Sequence, residues 1–83
     1  MIEAYIVSLN DVRFTGLNVR NKPSLNADVT RVFEDGRRVN IKAKFENEGE
    51  EWGLINSSKK NAPKEYVMMK YLTHCTENAY NGQ

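Results

Sequence analysis

The chain has 83 residues, with 12 basic and 11 acidic side chains for a net charge of +1, too even a balance to draw in a polyanion or an anionic membrane by its overall field. Its single cysteine, Cys75, excludes an intramolecular disulfide, and its longest apolar runs, such as Ala4 to Val7, are far too short to form a membrane-crossing helix. One domain of this length buries only roughly 60 to 65% of the surface its unfolded form exposes, so the core is small and held by packing alone.

The opening residues, Met1-Ile2-Glu3-Ala4, carry neither a basic region nor a hydrophobic stretch of signal-peptide length. The chain as written is therefore expected to stay in the cytoplasm, and to reach a cell wall only as an excised module or on lysis. Ile2 to Leu9 is rich in β-branched and aromatic residues and reads as a first strand or extended arm, ended by the turn-favouring pair Asn10-Asp11. Leu17 and Val19 then alternate with Asn18 and Arg20, the pattern of a half-buried strand. Pro23 stops it: proline fixes its own φ, biases Lys22 towards an extended conformation, and follows Asn21, which tolerates left-handed angles.

Val29 to Phe33 forms the next run, and Glu34-Asp35-Gly36-Arg37 is a hairpin signal. Val39, Ile41, Ala43 and Phe45 alternate with polar residues over nine positions, which predicts a strand with those four side chains on one inward face. Asn47-Glu48-Gly49-Glu50 turns the chain into Glu51 to Asn56; the polar stretch Ser57 to Pro63 leads to a last apolar segment, Tyr66 to Leu72. Short strands joined by tight turns, with no helical periodicity, predict an all-β fold: a small barrel of five to seven antiparallel strands over residues 1–73, followed by a polar tail over 74–83.

The order Leu17-Asn18-Val19-Arg20, Pro23-Ser24, Val29 and Val32, Asp35-Gly36 with Val39 and Ile41, Trp52, Tyr66-Val67, and Lys70-Tyr71-Leu72 resembles the bacterial SH3 (SH3b) family over about residues 5 to 73. Two departures stand out. Asn21-Lys22 replaces the family's Ser-Gly, and Glu65-Tyr66 its Gly-Trp pair. The resemblance implies an SH3-like barrel with a 3₁₀ turn near Lys70–Leu72, no catalysis and no cofactor. In many relatives such a barrel binds cell-wall peptides or attaches a wall hydrolase to its substrate. Met68 stands about where eukaryotic SH3 domains place a groove proline, so proline-rich recognition is not expected.

These readings nominate ligand-binding residues. Trp52 offers an amphipathic ring for the rim of a peptide groove, or alternatively a core plug, since Leu54 and Ile55 are both apolar and leave its face open. Tyr71 and Tyr66 are further aromatic candidates. Asn18, Arg20 and Asn21 supply donors for a peptide carboxylate or amide, Arg20 through its fork, and truncating Arg20 is expected to change stability by less than about 0.5 kcal/mol. The groove itself is expected between the loop of Asn21 to Ala27 and the turn of Glu46 to Trp52.

Arg38, Lys42 and Lys44, with Arg31 and Arg37 nearby, form a basic row of the kind small barrels use on nucleic acid. Glu46, Glu48, Glu50 and Glu51 follow at once and should offset it, so nucleic acid is not an expected partner. His74-Cys75 does not make a metal site, because adjacent residues of an extended segment point apart. Two functions remain: a module for an extended peptide such as a cell-wall (peptidoglycan) peptide, and an intracellular phage or mobile-element protein that binds or inhibits another protein through the barrel.

Overall fold

The computed structural model describes residues 1–75. Within them the chain is all-β, with strands β1 (Glu3–Val7), β2 (Leu17–Arg20), β3 (Val29–Phe33), β4 (Arg38–Asn47), β5 (Glu50–Ile55), β6 (Tyr66–Met68) and β7 (Leu72–His74). A 3₁₀ turn, Met69–Tyr71, sits between β6 and β7, one residue earlier than expected. It divides the last apolar segment, which the sequence presents as one piece. Thr73 and His74 belong to β7, at the boundary where the tail was expected to begin; residues 76–83 lie outside the described residues.

Every pairing is antiparallel, in one seven-stranded sheet of order β3-β2-β6-β5-β4-β1-β7. The sheet curls into a barrel-like form around one apolar cluster. Tyr5 and Val7 of β1, Leu17 and Val19 of β2, Phe33, Val39, Ile41, Val67 and Met69 fill it. The expected alternation of Leu17 and Val19 holds: both are buried, while Asn18 is exposed and Arg20 half-buried. The terminal strands β3 and β7 do not pair with each other. The loop and turn beside them close the seam instead: Leu9 N donates to the Asp35 carboxylate at 2.8 Å, Gly36 N to Val7 O and Val7 N to Arg37 O, each at 2.8 Å.

One irregularity decides which face of the sheet each side chain takes. On β4, Ile41 lies opposite Ile55, but Ala43 lies opposite Leu54, Lys44 opposite Gly53 and Phe45 opposite Trp52. An extra residue, Lys42, is therefore bulged out, and a one-residue shift sends every later side chain to the other face. The expectation that Ala43 and Phe45 share the inward face with Val39 and Ile41 is corrected: only the first two are buried there, and Phe45 is exposed. Gly53 takes the inward place. A Cβ on it would stand 2.5 Å from Met69 Sδ and 3.0 Å from Ile41 Cδ1, so glycine is what lets β5 approach the core this closely.

Trp52 follows from the same register. It shares the outer face with Leu54, Phe45, Tyr66 and Met68, yet it is fully buried. The loop between β2 and β3 spans it. Pro23 borders a hollow with Phe45 and Tyr66, and Leu25 borders another with Arg20 and Met68.

Candidate functional site

The β2–β3 loop is held down by polar bonds at both ends. Arg20 Nη1 donates to Leu25 O at 3.2 Å and to Ala27 O at 3.0 Å. At the far end, Ser24 Oγ and Leu25 N donate to the two carboxylate oxygens of Glu48, at 3.1 and 3.2 Å, and Asn47 Nδ2 donates to Pro23 O at 2.7 Å. Glu48 holds this position with φ of 56°, a left-handed angle that costs a non-glycine residue about 1 to 2 kcal/mol.

That closure overturns two expectations. The cleft between the 21–27 loop and the 46–52 turn is latched shut, and Trp52 is a plug beneath it, not a rim platform. Its indole Nε1 is buried without a hydrogen-bond partner among the described residues. Arg20 likewise is not on a wholly solvated face: two carbonyls occupy its Nη1, and its Nε and Nη2 donors are the ones left for a ligand.

An open cleft of about 220 Å³ lies instead on the other side of the loop, lined by Leu9, Phe14, Gly16, Leu17, Asn18, Arg20, Leu25, Met68 and Tyr71. Three of the six nominated residues, Asn18, Arg20 and Tyr71, meet there. β2 presents the first two along its outer face, and the 3₁₀ turn presents the third. Phe14 stands edge-on to Tyr71 with ring centroids 5.6 Å apart, making one wall of paired rings. Asn21 lines a separate hollow within its own loop, and Tyr66 stands edge-on to Phe45, centroids 6.0 Å apart, by Pro23.

Phe14 and Leu25 were missed because both come from polar, turn-rich segments. The signal was available: Phe14 is a large ring within Asn10 to Thr15 and Leu25 an aliphatic within Asn21 to Asp28, each too isolated to belong to a strand. Both remain exposed, at 43% and 54%.

The segment carrying Phe14 is pinned locally. Arg13 donates to both Asp11 carboxylate oxygens, the closest contact being 2.6 Å from Nη2, and Phe14 N donates to Asp11 O at 2.9 Å. Arg13's side-chain hydrogen bond, then its backbone N–H, hold the Asp11 carboxyl below the usual aspartate range.

Among the described residues no three His, Cys, Asp or Glu side chains are grouped so as to hold a metal ion, and no helix is long and apolar enough to cross a membrane. No protein-family model matches the chain, and neither a curated protein nor a solved structure matches it significantly.

Proposed function

We propose that this chain is a non-catalytic binding module of the bacterial SH3 type that takes an extended peptide, a cell-wall peptide foremost, in the cleft between the Leu9–Gly16 segment and the 3₁₀ turn. The observation that carries the reading is the cleft's make-up. Apolar walls from Leu9, Phe14, Leu25 and Met68 are joined by three residues with polar side chains, Asn18, Arg20 and Tyr71. Apolar surface with a few converging polar groups is how peptide and small-ligand sites combine affinity with orientation. The order of motifs from Leu17 to Leu72 supports the same reading.

A chemical-shift titration with purified cell-wall stem peptides, run beside a pull-down on purified peptidoglycan, tests it. Shifts should cluster on Asn18, Arg20, Met68 and Tyr71, leaving the Trp52 indole signal in place, and Tyr71→Ala should weaken retention about tenfold or more. No retention together with an unperturbed spectrum refutes the proposal, as do shifts confined to the sheet face around Lys42.

A further inference from the structure

The sequence sets Glu46, Glu48, Glu50 and Glu51 directly after a basic row, as though they cancelled it. Geometry separates them. β4 is 10 residues long, and at about 3.3 Å per residue Lys42 stands roughly 13 Å from Glu46 along the strand, beyond a Debye length of about 8 Å in physiological salt. Glu48 lies in the turn past the strand's end, and Glu51 is paired with Glu46 at that same end. The β5–β6 loop returns to the opposite end from those glutamates, fixed there by Asn56 N donating to Asn40 O at 2.8 Å. It brings Lys59 and Lys64 round one hollow with Lys42, Ser57 and Asn61, and Lys60 is next to Lys59.

Lys42, Lys59, Lys60 and Lys64 are all exposed, and no ion pair among the described residues engages them. The nearest loop carboxylate, Glu65, is occupied by Arg31 at 2.8 Å and by the Thr30 hydroxyl at 2.9 Å. Four uncompensated cations thus crowd one end of a protein whose net charge is only +1.

The floor of the lysine hollow includes Leu54. Opposite Leu54 on the neighbouring strands stand Tyr66 and Ala43, and beside these is Phe45, 43% exposed and edge-on to Tyr66. Lysines and an accessible aromatic pair therefore share one sheet face. Cations that follow a backbone beside rings on which bases stack are the two elements of single-strand recognition. A duplex hides its base faces, whereas rings with lysines can also meet an anionic lipid interface; a comparison with vesicles separates the two.

We propose that this face, from the lysine loop to Phe45 and Tyr66, binds single-stranded nucleic acid, lysines on phosphate and rings on base. One carboxylate, Glu46, borders the aromatic hollow; it stands at the end away from the lysines and sets the limit of the site.

Fluorescence anisotropy of the full chain with a labelled 12-nucleotide oligothymidylate tests this. With four phosphate contacts the slope of log K against log salt should be about −3, so affinity falls about fiftyfold between 50 and 200 mM salt. The double change Lys59→Gln and Lys64→Gln, on exposed loop positions, should reduce that slope to about −1.5. Phe45→Ala should weaken binding about tenfold and leave the slope alone. The proposal fails if the oligonucleotide does not bind at 50 mM salt, or if the lysine changes leave binding untouched. It fails equally if a 12-base-pair duplex, or vesicles of phosphatidylserine and phosphatidylcholine, bind at least as tightly as the single strand.

Discussion

Placing a methyl group on Gly53 tests the packing of the whole barrel. The new Cβ would lie 2.5 Å from Met69 Sδ, 3.0 Å from Ile41 Cδ1 and 3.2 Å from Ile41 Cγ2. These contacts differ in how they yield. The Met69 thioether can swing to another rotamer, whereas Ile41 is β-branched, stiff at χ1 and 2% exposed. Overpacking of this kind costs about 1 to 3 kcal/mol. Against that, Gly53 lies in a strand with an ordinary backbone angle, so alanine recovers about 0.4 to 1 kcal/mol by restricting the unfolded chain. The clash prevails, for a net loss of about 1 to 2 kcal/mol. In a domain of this size that lowers Tm by about 5 to 15 °C. The assay is a thermal melt followed by circular dichroism, with a double-mutant cycle against Met69→Ala. Removing the thioether should reduce the cost of the Gly53 change and yield a coupling of about 0.5 kcal/mol or more. A Gly53→Ala protein that melts at or above the parent, or a cycle that closes without coupling, would show that β5 does not press on the core as described.

Two further outcomes can be checked on the loops. Arg20→Ala frees two carbonyls, of Leu25 and Ala27, from Nη1; because solvent reaches the group, the loss is about 1 to 2 kcal/mol, read as a lower urea midpoint with faster amide exchange across the 21–28 loop, and an unchanged midpoint would return Arg20 to the solvated face. Asp11 titrates below the ordinary aspartate range because Arg13 binds its charged form. A depressed carboxyl stabilises the fold above the unfolded-state pKa and loses that contribution as pH falls through the folded one, so a carboxyl titration followed by NMR should show Arg13→Ala moving the Asp11 midpoint upward, and equal midpoints in the two proteins would refute the pairing.

Much of the fold was legible because it is local. Glu48-Gly49 marks the tight β4–β5 hairpin, whereas Asp35-Gly36 turns the chain between β3 and β4, which do not pair, so the hairpin expected there is corrected to a turn between separated strands. Both glycines take positive φ, 89° and 78°, where other residues are strained. Leu17 and Val19 alternate with polar neighbours and are buried as read. The face of β4 beyond Ile41 was not legible. A bulge leaves no mark in the hydrophobic pattern here, since Ala43 and Phe45 continue the period of Val39 and Ile41 while the backbone has already shifted by one. Trp52 inherits that ambiguity: its partner across the sheet is Phe45, and only the register says which side the pair takes.

The candidate cleft divides the same way. Asn18, Arg20 and Tyr71 belong to regular elements with recognisable patterns, and the structure brings them together. Phe14 and Leu25 reach the cleft from loops whose course is set by contacts far along the chain, such as Leu25 N with Glu48, 23 residues away. Local propensity says nothing about such bonds.

Short-range preference was thus enough to establish an all-β chain, the positions of its turns and the inward-facing residues of β2 and of β4 up to Ile41, because those depend on backbone angles and neighbours two places away. Tertiary structure alone decided that Trp52 is sealed, that the cleft opens beside Tyr71, and that four lysines stand clear of the glutamates. Each of these depends on which strand lies beside which and in what register, and that is set by the packing of the whole sheet.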